Sequence, residues 1–351
     1  MATVSSNGIT LNYPDDPCPV FNPCVFRLTG TMARSRVFVN SGTRNYSAVY
    51  HTPDGGHLDL RQFMQVFFDG MALGAEFDQM GEVRASGLGR NVNVTLIALS
   101  ADNTNLAQFN LSIFCVWAGM DINEDYERIS DSTVHHLTWF RGYPFTVGIY
   151  TDRSKVLTYS SYTNDPRDGG LVRNVQLSGK GLFNVNIDSD GGDTKRVILL
   201  SDYSEPYTDH YVISIDREHD EGIYLRWIDR HGFWRYWLFK KGNPTRQATS
   251  RFGAWYRNDL SGYGMTGRRQ SFTRNDVQPL CVPLVDQETF DVLQDVTTSP
   301  YVDMFLGYDQ HDDPMWATVT VEPGSYTKDV DKPEQDFICN LVLPEIPVQT
   351  L

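Results

Sequence analysis

The stretch 222–240, GIYLRWIDRHGFWRYWLFK, constrains the fold more than any other part of this chain. Two runs of strand-forming residues flank His231-Gly232, which reads as a two-residue hairpin turn with glycine supplying a positive φ. Pairing across that turn sets Ile228 opposite Arg235, Trp227 opposite Tyr236 and Arg226 opposite Trp237. Strand side chains alternate, so one face carries Leu225, Trp227, Tyr236 and Leu238. The other carries Tyr224, Arg226, Ile228, Phe233, Arg235, Trp237 and Phe239. Both faces are aromatic, whereas an ordinary antiparallel sheet keeps one face wet. The first face is expected in a domain core. The second, with its ladder of Arg226, Arg235 and Trp237, is expected either to stack within the chain or to meet another chain.

The rest of the sequence is of the same kind. About a dozen runs alternate with period two, against only two convincing helical stripes. One stripe is 58–68, where Leu60, Phe63, Met64, Phe67 and Phe68 share a face. The other is 287–296, with Asp286 as its N-cap and Phe290 and Leu293 on one side. The expected fold is mainly β: two antiparallel β-sandwich or barrel-like domains with two or three short helices. Residues 1–23 are polar and punctuated by proline, and read as an N-terminal arm. A boundary near residue 200 then separates domains 24–200 and 201–351. The stretch 242–276 reads as a long irregular loop, ordered chiefly by a partner.

At 351 residues the chain can bury two cores. Its formal net charge of −14 argues against a surface that embraces DNA or RNA as a whole. Arg246, Arg251, Arg257, Arg268, Arg269 and Arg274 nevertheless cluster in one stretch. They read as a solvated loop or a salt-bridged protein interface, with an anion site as the sharper alternative. No apolar run approaches the roughly 18–20 residues that span a bilayer, and no signal peptide is evident. Membrane insertion is not expected. The five cysteines, Cys18, Cys24, Cys115, Cys281 and Cys339, show no zinc-ligand spacing. Free thiols in a reducing cytoplasm are the simplest reading, although Cys18 and Cys24 are near enough in sequence to bridge.

No catalytic constellation emerges. There is no GxSxG elbow, and Gly87-Leu88-Gly89 and Gly262-Tyr263-Gly264 lack the third glycine of a dinucleotide fingerprint. His135 and His136 point to opposite faces if they lie on a strand, so they do not share a metal. The ligand-rich run 309–313 falls where a turn is needed and reads as a solvated acidic turn. No enzyme activity, cofactor or metal is expected. Trp234, Trp237, Trp255 and Tyr256 are candidates to stack on sugar rings, against the plainer readings of core and hairpin end. A carbohydrate- or receptor-binding module is therefore the first alternative function, and a polysaccharide-acting enzyme the second.

The last seventy or so residues carry a further pattern. PLCVPLVDQETFDVLQDVTTSPYVDMFL is followed by PMWATVTVEPGSYTKDV and DFICNLVLPE. Together with the aromatic hairpin and the FDGMALGAEF segment that follows LDLRQF, this resembles structural proteins of the tail modules of tailed phages and prophages, notably those of gut Bacteroidales. The resemblance implies a virion protein of the tail tip or baseplate, similar to distal tail or tail-hub proteins. Such a protein is made in the bacterial host cytoplasm and forms an oligomeric ring that joins the tail to host-recognition parts. Its implied partners are copies of itself, other tail proteins and, through exposed aromatics, a host-surface glycan. The family has no shared catalytic residues to carry over. Interface candidates are Arg226, Arg235, Trp237, Trp234, Trp255, Tyr256, Arg268 and Arg269, since Trp, Tyr and Arg dominate interface energetics.

Overall fold

The computed structural model describes residues 1–52, 56–69, 83–121, 134–162, 172–187, 196–201, 209–250, 254–255, 268–269 and 271–343. The glycines 262–264, Tyr256, Arg251 and Arg257 lie outside the described residues. The protein is mainly β, as its alternating sequence requires. Helix among the described residues is limited to Arg61–Val66, Gln287–Gln294 and a 3-10 turn, Asp295–Thr297. None is long and apolar enough to cross a membrane.

The chain divides into two units, but not at residue 200. The first comprises Met1–Thr138, Phe145–Ile215 and Asp229–Trp234; the second comprises Trp139–Pro144, Asp216–Ile228 and Arg235–Leu351. Long-range strand pairing groups distant segments, which a linear scan for linkers does not reveal.

The first unit contains a sandwich. One sheet orders Ala2–Ser6, Ile9–Tyr13, Val25–Thr29 and His57–Asp59; the other orders Cys18–Pro19, Asn105–Val116, Gly89–Leu99, Arg34–Ser41 and Arg44–His51. Alternation decides which face is inside: Val92, Val94, Leu96 and Ala98 are buried, as are Val37 and Val39 opposite them. They meet Ile9, Leu11, Phe26, Leu28 and Leu58 of the facing sheet, with Leu60, Met64, Phe67 and Phe68 filling the same core. The expected helix 58–68 therefore shortens to Arg61–Val66, because residues 57–59 are taken into a sheet. Residues 1–23 are not an arm. Ala2–Ser6 and Ile9–Tyr13 pair about Asn7-Gly8, both with positive φ, and Ile9, Leu11, Cys18 and Val20 are buried. An Asn-Gly pair between strand-like runs is itself a hairpin signal. The same unit holds a sheet of Thr146–Thr151, Gly181–Asn186 and Val83–Ala85.

The second unit is a barrel. Trp234–Lys241, Ile223–Ile228, Val302–Tyr308, Pro314–Val321, Glu334–Val342 and Phe272–Asp286 follow one another in sheet order. Trp234–Lys241 also pairs with Phe272–Asp286, which closes the ring and removes its open edges. Leu225, Trp227, Phe239, Leu280, Phe337 and Leu341 fill the interior. Gln287–Gln294 starts where expected: Asp286 accepts from the Thr289 amide at 2.7 Å, and Phe290 and Leu293 are buried in the barrel core.

Candidate functional site

The aromatic hairpin forms, but with a different turn. The Asp229 amide donates to the Phe233 carbonyl at 2.9 Å and the Gly232 amide to the Asp229 carbonyl at 3.1 Å. The loop is therefore Arg230-His231-Gly232, three residues rather than two, with Gly232 at φ 79°. Asp229 selects it: its Oδ1 accepts from the amides of His231 at 3.0 Å and Phe233 at 2.8 Å. One extra loop residue changes every cross-strand pair. Leu225 and Trp227 share the core with Phe239 and, partly buried, Trp237. Tyr224 instead stacks with Tyr236, their ring centroids 6.1 Å apart.

The second face is covered within the chain at Tyr224 and Arg226, which favours the first of its two expected roles, packing within the chain. Segment 139–144 lies over it: Tyr143 stacks on Tyr224 at 4.4 Å, and the Tyr224 hydroxyl donates to the Pro144 carbonyl at 2.8 Å. Burial pushes the Tyr224 phenol well above its ordinary range, with the nearby tyrosines adding to the effect. Arg226 is 4 % exposed. It does not stack on Trp237; its Nε and Nη2 lie 3.0 and 2.9 Å from Asp303, and it lies over Trp316. Asp303 is its register partner on the neighbouring strand, and Thr318, one strand further, donates to Asp303 Oδ1 at 3.2 Å. Arg235 and Trp234 are buried as well, so neither offers surface. Trp237 packs on the core and edge-on to Phe140 at 5.3 Å.

Beside this hairpin is a groove of about 240 Å³. Trp237 and Phe140 give it aromatic walls, and Asp216, Glu218, Asp220 and Glu221 line its rim. The His219 ring lies 2.9 Å from the Arg141 carbonyl, which holds the acidic turn against segment 139–144.

The described residues of 242–276, expected in an irregular loop, include a β-ribbon. Thr245–Ser250 pairs with the first half of Phe272–Asp286, and Trp255 stands opposite Arg268 with Ala254 opposite Arg269. Residues 245–249 are all exposed. Asp276 ties the base of the ribbon together: Arg246 Nε lies 3.0 Å from its Oδ1, and Arg274 also pairs with it. These two guanidinium groups, Arg274 first, hold the Asp276 carboxyl well below the usual carboxylate range.

The acidic run 309–313 is a hairpin turn. Asp309 Oδ1 accepts from the amides of His311 at 2.7 Å and Asp313 at 3.0 Å. Among the described residues no group of three His, Cys, Asp or Glu side chains is placed to hold a metal ion. The scan of the sequence missed one cluster altogether: Cys115 joins Cys18 and Cys24 in the core of the first unit. Only Cys18 and Cys24 are close in sequence, so no spacing rule points to the third thiol.

No family model matches this chain, and no curated protein matches it.

Proposed function

We propose that this chain is a structural protein of a phage tail, tail tip or baseplate, and that it assembles with copies of itself. The observation that supports this reading best is an arginine-rich stretch, with an exposed ribbon strand at its start, on an acidic chain. The stretch 242–276 holds six arginines against Asp259 and Asp276, while the whole chain carries −14. A two-stranded ribbon is marginal alone in water, and residues 245–249 are exposed. An acidic surface is its natural cover, and the rest of another copy supplies one. The aromatic hairpin no longer serves as the contact surface. Sedimentation of the purified chain tests the reading, followed by electron microscopy of the oligomer and of particles that contain it. We expect a large closed oligomer that loosens as salt screens the exposed charges. A chain that stays monomeric at every salt and protein concentration would defeat it.

A second reading rests on the groove. Aromatic walls from Trp237 and Phe140 beside a carboxylate rim suit a sugar ring, which stacks through its C–H face and donates hydroxyls to acids. Calorimetry of the wild-type chain with a panel of bacterial surface glycans tests it; no heat with any of them argues for assembly alone.

A further inference from the structure

Three of the five cysteines converge at one buried point, from strand Cys18–Pro19, from residue 24 and from strand Asn105–Val116. Cys18 Sγ lies 3.5 Å from Cys24 Sγ. Cys18 is also the register partner of Cys115, whose Sγ lies 3.8 Å from Met64 Sδ. Backbone bonds hold both ends of the Cys18–Cys24 segment. The Val20 amide donates to Val116 O at 2.9 Å and the Phe21 amide to Ala118 O at 3.1 Å. Asn22 exchanges two hydrogen bonds with the Met120 backbone, each 2.8 Å. The Cys24 amide donates to Asp59 Oδ1 at 3.1 Å, and its carbonyl accepts from the Leu60 amide at 2.9 Å. Both thiols are thus presented by fixed backbone, and a bond of about 2.0 Å asks for their 3.5 Å gap to close.

We propose that Cys18 and Cys24 form an intrachain disulfide when the protein meets a peroxide, sealing the 18–24 loop onto the end of strand Asn105–Val116. The Cys18 thiolate attacks a peroxide oxygen: an S–O bond forms, the O–O bond breaks, and the departing hydroxide takes a proton and leaves as water. The Cys24 sulfur, giving up its proton, then attacks the Cys18 sulfenic acid. The S–S bond forms, the S–O bond breaks, and a second water leaves. Two thiols lose two electrons and hydrogen peroxide gains them. The order follows from the surroundings: the thiols of Cys115 and Cys24 stabilise the Cys18 thiolate, while its hydrogen bond to Cys18, and then burial, raise Cys24. Burial slows the reaction. The inference stands whether or not the chain assembles.

The test is to treat the full-length protein with hydrogen peroxide, alkylate the remaining thiols and map peptides without reduction. A Cys18–Cys24 crosslink should appear within one chain, alkylatable thiols should fall by two, and a dithiol should reverse both. Thermal melting should then shift upward by a few degrees. Cys115→Ala should keep the crosslink and Cys18→Ala should abolish it; if Cys18→Ala fails to fold, Cys24→Ala serves in its place. A Cys18–Cys115 linkage, bonds only between chains, or five free thiols after peroxide would each overturn the proposal.

Discussion

The guanidinium carbon of Arg226 lies 4.1 Å from the centroid of the Trp316 ring. Its edge meets Asp303 at the same time, so one buried cation contacts a carboxylate and an aromatic face on two neighbouring strands. This pairing holds three strands of the barrel in register.

Removing that cation leaves Asp303 without its main counter-charge in a half-dry site. Arg226→Ala should destabilise the fold by about 3–5 kcal/mol, the usual cost of breaking a buried pair. Arg226→Lys keeps the charge but loses the planar stack, and should cost less, about 1–2 kcal/mol. Urea unfolding of the two variants beside the parent measures both, and equal losses would show that the charge by itself contributes nothing.

Trp237 packs on the barrel core and against Phe140. Trp237→Ala should therefore lower fold stability by about 2–4 kcal/mol, at the lower end of aromatic deletions because the ring is partly exposed. Thermal melting and sedimentation of the variant separate the outcomes. An unchanged melting point with lost assembly would return Trp237 to an interface role.

A side chain at Gly232 meets two obstacles. Its φ of 79° disfavours any L residue, and a Cβ there would come within 2.9 Å of Val116 Cγ1 and 3.0 Å of the Trp117 carbonyl. Gly232→Ala should cost about 1–3 kcal/mol. Amide exchange of Asp229 and Phe233 should speed up in the variant, and unaltered exchange would show that the loop tolerates the change.

Cys339 gives a pH dependence. Burial pushes its thiol up to about 12, with Cys281 adding to the effect. An unfolded thiol titrates near 8.5, so between that value and about 12 the unfolded chain releases a proton that the folded chain keeps. The contribution is whole below about 8.5 and is lost as pH rises through this window. Cys339→Ala should flatten the fall in stability above pH 8.5, read from urea midpoints, and a parallel slope would count against it.

Asp276 works in the opposite direction. Its carboxyl is held low by Arg274 and Arg246, so the clamp at the base of the ribbon is complete above the unfolded value near 4 and is lost only as pH falls well below it. Carbon-detected titration of the side chain should show an ordinary Asp curve in a variant carrying Arg246→Ala and Arg274→Ala, and a depressed one in the parent.

The sequence by itself determined the class of fold, because period-two alternation in 89–99 and 105–116 leaves a strand as the element that buries one face. It also determined the helix after Asp286, since an N-cap carboxylate and the spacing of Phe290 and Leu293 act within a few residues. Asn7-Gly8 could have revealed the first hairpin by the same local reasoning. Tertiary structure decided the rest. Asp229 fixes the hairpin loop through backbone amides, and one added residue there moves Trp237 and Tyr236 to opposite faces from those the pairing rule gave them. The cover over Tyr224 comes from 139–144, some eighty residues away, and the partner of Arg226 comes from residue 303. Burial and charge pairing are properties of what packs against a residue, and such neighbours, like the three thiols at 18, 24 and 115, meet only when the sheets close.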